Sequence, residues 1–248
     1  MRLLAHQLRA EQLIFWRSRE AAIFVFVFPI LLFVLLNAVY EGESDGHPVV
    51  DVLVAGLLGY GVANTALAGL AIILVGRREN GILKRLRSTP LPPATYLTAA
   101  VTSIVAVFAL QSVALVTLGV AVFGANVPDR PFSLAAALVL GAACFAAMGF
   151  AAASLIRSAD GASAVMNVIV LPMAFLSGGF GPARDLPAFL QALADVLPLT
   201  YFIDLVEAIV LDGEQAWSQP VDIAVVAAWG AAGLVVALRR FRWEPREG

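Results

Sequence analysis

VLVAGLLGYGVANTALAGLAIILVG, the stretch from Val52 to Gly76, holds no charged residue, and Arg77 and Arg78 close it. A helix needs about 20 apolar residues to cross roughly 30 Å of hydrocarbon. This stretch exceeds that length, and helices buried in soluble proteins rarely exclude charge for so long. Its neighbours repeat the pattern. Ala21–Tyr40, a helical part near Leu97–Phe123 inside Leu91–Pro128, Pro131–Ile156, Gly161–Ala183 and Val221–Leu238 are also largely apolar. Asp222 near the edge of the last run is tolerable at an interface. The chain of 248 residues is 60% hydrophobic and 14% charged, against about 25% charged in an ordinary soluble domain. The expected fold is all-α: a polytopic membrane protein with six transmembrane helices, filling residues 1–248 as a single domain.

Charge sets the expected orientation. With the N-terminus in the cytoplasm and six crossings, every Lys and Arg falls inside except Arg130 and Arg184. The acids lean outward, with only Glu11, Glu20, Glu79, Asp160, Glu244 and Glu247 inside. The positive-inside rule therefore predicts both ends in the cytoplasm. Ala21–Tyr40 is longer than the apolar core of a cleaved leader and has no small-x-small site near Asn37–Tyr40, so it reads as a signal anchor. Cys144 lies alone within the fourth run, where a thiol normally just packs.

The segments between the runs carry the chemistry. Residues 1–20 read as an interfacial helix, with Arg2, His6, Arg9 and Arg17 on one side and Leu4, Leu8 and Phe15 opposite. Gln7 and Glu11 interrupt that apolar side. Residues 77–95 form the longest inner loop. Ile82, Leu83 and Leu86 share one side of a short helix, and Lys84, Arg85 and Arg87 flank it. Pro90, Pro92 and Pro93 stop that helix. Such a basic amphipathic loop suits docking on a cytosolic partner. Residues 184–212 hold two short apolar stretches punctuated by Asp195, Asp204 and Glu207. They predict an outer re-entrant helical hairpin, which survives only inside a protein envelope. Small residues at four-residue spacing in the second and fourth runs, Ala55, Gly59 and Ala63 among them, predict close helix packing.

Several chemistries are missing. Lys84 is the only lysine and follows Leu83, so there is no Gly-Lys-Ser/Thr phosphate loop. His6 and His47 both lie outside the runs, which removes the base of a membrane Ser–His hydrolase. No His, Cys, Asp and Glu grouping offers a metal site. The mid-run polar residues Asn64, Gln111, Ser112, Thr117 and Asn167 are uncharged. Asn64, Gln111 and Asn167 are candidates for a substrate path, or they bond between helices. A proton-coupled carrier usually keeps a carboxylate or lysine in the membrane, and none sits mid-run here.

Three elements in order resemble the type-2 ABC exporter permeases, the group of bacterial drug and polysaccharide exporters. They are Glu79, Gly81 and Lys84–Arg87 with Thr89-Pro90-Leu91-Pro92; the Leu176–Pro182 element with Ser177, Gly178, Gly179 and Pro182; and Pro198-Leu199-Thr200-Tyr201 with Asp204. Glu207 stands where that family commonly has an arginine, which leaves the substrate open. The resemblance implies a permease subunit in a bacterial-type inner membrane, paired with a second permease chain as homodimer or heterodimer. Each chain would dock a cytosolic ATPase subunit, in two copies, that holds the ATP and Mg; this chain would carry no cofactor. The Glu79–Thr89 segment, with Ile82, Leu83, Lys84, Arg85, Leu86 and Arg87, would be the coupling helix. Membrane lipid is an expected partner and nucleic acid is not. The substrate would be an amphipathic or hydrophobic drug, lipid or glycoconjugate. The rival readings are a proton-coupled carrier and a membrane assembly protein without a transported substrate.

Overall fold

A computed structural model describes residues 2–40, 42–44, 46–181 and 186–240. Helix α1 (Arg2–Arg17) is followed by α2 (Arg19–Val39), a two-residue-per-strand hairpin of β1 (Glu43–Ser44) and β2 (His47–Pro48), and α3 (Val49–Val62). A π-helical segment, Ala63–Gly69, runs straight into α4 (Leu70–Glu79), so α3 to α4 is one long span. Then come α5 (Ile82–Arg87), α6 (Pro93–Phe123), α7 (Pro131–Leu155), α8 (Ala159–Leu176), α9 (Ala188–Ala194), α10 (Pro198–Val210), a 3-10 turn at Ala216–Ser218 and α11 (Pro220–Arg240). Among the described residues six helices are long and apolar enough to cross a membrane.

Several boundaries differ from those read off hydropathy. The second span starts at Val49, ahead of the uncharged run that begins at Val52, because Asp51 lies in the first turn of α3. A carboxylate is favourable there against the helix dipole. It is buried, and it accepts bonds from the backbone N–H of Asn126 (2.8 Å) and from Asn126 Nδ2 (2.7 Å). The third span begins at Pro93, since proline is at home in a first helical turn. The fifth span starts at Ala159 and stops at Leu176, short of Ala183, because Gly178 turns the chain at φ 80°. The sixth runs from Pro220 to Arg240, slightly beyond the predicted limits at both ends.

Glycines let the spans meet. In α11, a Cβ on Gly230 would lie 2.8 Å from Cys144 Cβ, and one on Gly233 would lie 2.9 Å from the Met148 backbone. The small-residue faces thus bind helices of this same chain. Helix α10 slots between the second and fourth spans, with Ile203 over Gly59 and the Phe202 ring over Gly141. Gly59 and Gly141 each lie ten residues into their spans, which is roughly 15 Å at 1.5 Å per residue. Leu199, Phe202, Ile203, Val206 and Ile209 of α10 are all fully or nearly fully buried. The expected pair of short helices is therefore present, as α9 and α10.

Candidate functional site

The bundle has a basic end, with α1, α5 and the turn between α7 and α8, and an acidic end, with the hairpin, α9 and α10. At the basic end, the last turn of α4 organises everything around it. Arg77 Nη1 and Nη2 donate to Glu11 Oε1 (2.9 Å) and Oε2 (2.7 Å), and Nη1 also donates to the Tyr96 hydroxyl (2.7 Å). Its guanidinium lies 5.8 Å from the centre of the Tyr96 ring. Glu11 also accepts from Gln7 Nε2 at 3.0 Å and is only 6% exposed. Gln12 Nε2 donates to Ser103 Oγ (2.9 Å) and to its carbonyl (3.0 Å). So Gln7, Glu11 and Gln12 do not spoil a membrane face. They are the side of α1 that binds the bundle, while Leu3, Leu13, Ile14 and Trp16 stay exposed with the basic residues.

Arg78 points the other way. It is 2% exposed, and its Nη atoms donate to the carbonyls of Ala153 (2.7 Å), Ile156 (2.6 Å) and Arg157 (3.3 Å). These are carbonyls at the C-terminal end of α7, where a cation is favoured. The next residue, Glu79, accepts the backbone N–H of Ala159, the first residue of α8. Ser158 caps the same helix, accepting the Gly161 N–H at 3.3 Å.

The predicted coupling helix is shorter than Glu79–Thr89. Glu79 belongs to α4, Gly81 makes the turn at φ 68°, and α5 spans Ile82–Arg87. Its three apolar residues do not form one free face. Leu83 is fully buried in the chain's own core, Leu86 is half-buried against it, and Ile82 is 42% exposed. Lys84, Arg85 and Arg87 are exposed. The surface of α5 open to a partner is therefore Ile82 with the three cations.

The candidate path residues separate. Gln111 accepts from Thr65 Oγ1 at 3.0 Å in a buried bond between the second and third spans. Asn64, in the π-helical segment, and Asn167, on α8, line one cavity of about 550 Å³. Its walls come from α1, α2 and the second, third and fifth spans, and Glu11 and Arg77 lie at its basic end. π-helical segments often occur where function needs an irregular helix.

At the acidic end, Ser177 Oγ lies 2.9 Å from Thr200 Oγ1, which donates to the Ala194 carbonyl at 2.7 Å. The Tyr201 hydroxyl donates to the Asp195 carbonyl at 2.8 Å, and Pro198 starts α10. Asp204 and Glu207 line a second cavity, of about 740 Å³, with His47 and Asp212, whose Nε2 and Oδ1 are 3.4 Å apart. Gly178 has the positive φ expected of a turn, but Gly179 does not. Gly179 is small for another reason: a Cβ there would lie 2.9 Å from the Ala174 carbonyl oxygen. Pro182 lies outside the described residues.

A family model described as ABC-2 type transporter matches residues 3–211. The chain belongs to the ABC-2 type transporter family. It is 29% identical over 184 residues to the inner membrane transport permease YhhJ of Escherichia coli K12, covering 70% of this chain and 48% of that protein. The inner membrane transport permease YhhJ of Shigella flexneri matches with the same figures. The chain thus spans about half the length of the curated relatives it matches. With six apolar helices it is a transmembrane component of an ABC-2 type transporter.

Sequence reasoning misses the anchoring bonds of Arg78, Glu11 and Asp51. Arg78 counted only as one more inner charge. The available signal was its place one residue beyond Arg77 at the end of an uncharged run: two cations at adjacent positions on a helix face different neighbours.

Proposed function

We propose that this chain is the membrane-spanning subunit of an ATP-driven exporter, lying in a bacterial inner membrane with its basic end in the cytoplasm. The observation that carries this reading is α5. It is held rigidly by Leu83 in the core and by the Gly81 turn, yet it presents Ile82, Lys84, Arg85 and Arg87 outward. A segment built only to connect two spans needs no buried anchor. A docking segment needs one, because force applied to it must reach the spans.

In this reading α5 docks a separate ATPase subunit that holds ATP and Mg, and two permease chains pair over two ATPases. ATP binding favours one arrangement of the spans over another by differential contact. The substrate is an uncharged or weakly charged amphiphile, a drug, lipid or glycoconjugate. It enters the cavity with its hydrogen-bonding groups at Asn64 and Asn167, and the apolar remainder against the walls. Glu11 and Arg77, the ionised groups lining that cavity, bond to each other and leave no net charge to attract an ion. Helix α1 lies along the inner surface, and α9 with α10 forms the re-entrant outer element.

The test is purification of the intact chain in mild detergent with the ATPase subunits of the same cell. Specific retention of an ABC ATPase, with ATP turnover that responds to amphiphilic dyes, is the expected result. Retention that persists after Arg85 and Arg87 are both changed to Glu would place the docking surface elsewhere and remove the case for α5.

A further inference from the structure

The α7–α8 turn is held from α4 by two neighbouring side chains with opposite charge. Arg78 takes the carbonyls that end α7, and Glu79 takes the N–H that starts α8. Each charge matches the helix end it meets. A turn that needed only capping would use its own residues, as Ser158 does for Gly161. Here the caps come from 75 to 80 residues away in sequence, and from the two positions that lead directly into α5. The Gly81 N–H donates back to the Arg78 carbonyl at 3.0 Å, and the Arg85 N–H to the Gly81 carbonyl at 3.1 Å. The chain from α5 to the turn is therefore linked by a continuous series of hydrogen bonds.

We propose that Arg78 and Glu79 are positioning residues that clamp α5 to the α7–α8 turn, so that movement of α5 is delivered to the fourth and fifth spans as one body. This rests on the reading of α5 as the ATPase-docking segment, and adds how that segment reaches the cavity. The fifth span carries Asn167 and Ser163 on the cavity wall. The fourth carries Gly149, where a Cβ would lie 2.8 Å from the Ala66 and Leu67 carbonyls of the π-helical segment that holds Asn64. A shift of the clamp thus changes the cavity from two sides. Arginine suits this task because its planar fork presents five donors in fixed directions, whereas a lysine offers three on one compact, flexible charge.

The experiment uses the permease–ATPase complex in nanodiscs, with Cys144→Ala to remove the native thiol and Asn167→Cys as reporter. The rate of N-ethylmaleimide labelling is measured without nucleotide and with ATP plus vanadate. Without clamp substitutions, nucleotide should change the rate by about fivefold or more, the lower end of usual coupling strengths. With Arg78→Gln and Glu79→Ala added, ATP hydrolysis should persist while the labelling change shrinks to within about twofold, below that range. Spin labels at Ser88→Cys, the exposed residue that closes α5, and Arg157→Cys should give one narrow distance distribution that broadens in the same variant. If the double variant fails to insert, Glu79→Ala alone carries the same test, since it removes the acceptor of the Ala159 N–H and that side chain is exposed. A nucleotide response that survives intact in the variants overturns the clamp and leaves the docking reading standing. No nucleotide response before the clamp is altered overturns both.

Discussion

Glu11→Met should detach α1 from the bundle. An exposed ion pair contributes about 0–1 kcal/mol, but this pair is not exposed: the side chains of Arg77 and Glu11 are 12% and 6% accessible. Removing one partner of a buried pair typically costs about 3–5 kcal/mol, because the other charge stays buried without its counter-ion. Arg77 would keep its bond to the Tyr96 hydroxyl at 2.7 Å, which argues for the lower end, about 3 kcal/mol. Arg77→Met should cost a similar amount, since it strands the Glu11 carboxylate with Gln7. The double variant Glu11→Met with Arg77→Met should be milder than either single change, because no charge remains stranded. The assay is cleavage by trypsin after Arg17, beside the α1–α2 junction, together with unfolding in rising detergent. When reclosing is fast, cleavage tracks the population of the open form, so about 3 kcal/mol is roughly a 100-fold faster cut in the single variants. Singles that cut at the unaltered rate, or a double variant whose cost is the sum of the two, would refute the reasoning.

Gly149→Ala should destabilise the fold by about 1–3 kcal/mol, since its Cβ would press on two carbonyl oxygens, while Gly76→Ala, with nothing within 4 Å, should be neutral or slightly stabilising; thermal unfolding in micelles checks the contrast. Reversing Arg85 and Arg87 to Glu should abolish ATPase retention with the unfolding midpoint unchanged, whereas Leu86→Asp should lower both, because Leu86 packs on the core. In a Cys144→Ala background, cysteines at Ser44 and Trp217 should react with an impermeant reagent applied outside intact cells and one at Ser88 should not; the opposite pattern would invert the topology.

The spans were legible because hydrocarbon excludes charge, and a soluble core seldom demands an uncharged run long enough to cross it. Their ends were less legible. Asp51 and Arg78 look like loop residues by charge, yet both are buried within helices and bonded to the far side of a neighbouring turn. A charge at a span end can face headgroups or a protein partner, and helical periodicity does not distinguish them. Glu11 is the sharper case. On α1 it falls near Leu8 and Phe15, which reads as a flaw in an apolar face; the structure has a cation waiting at that place. The amphipathic reading of α5 failed in a related way. The spacing of Ile82, Leu83 and Leu86 predicted one apolar side, but only the third dimension assigns Leu83 to the chain's own core and Ile82 to the surface.

The arrangement also accounts for where the irregular turn sits. The second span is gripped near its acidic end, with the Gly178 carbonyl against Gly56 and Ile203 against Gly59, and near its basic end by the partners of Arg77 and Arg78. Both sets of contacts demand a particular rotation of the helix. Each residue added to or removed from a helix turns everything beyond it by about 100°, and a π-helical segment absorbs such a mismatch within one or two turns. The Ala63–Gly69 segment lies between the two grips, and the fourth span packs closely on it at Gly149. Asn64 lies within that segment and lines the cavity wall. A change that restored regular α-helix across these seven residues should rotate one end of the span against the other by part of a turn, and so should weaken either the glycine contacts with α10 or the grip on the α7–α8 turn; a thermal unfolding midpoint left unchanged by a deletion that restores the regular repeat would count against this.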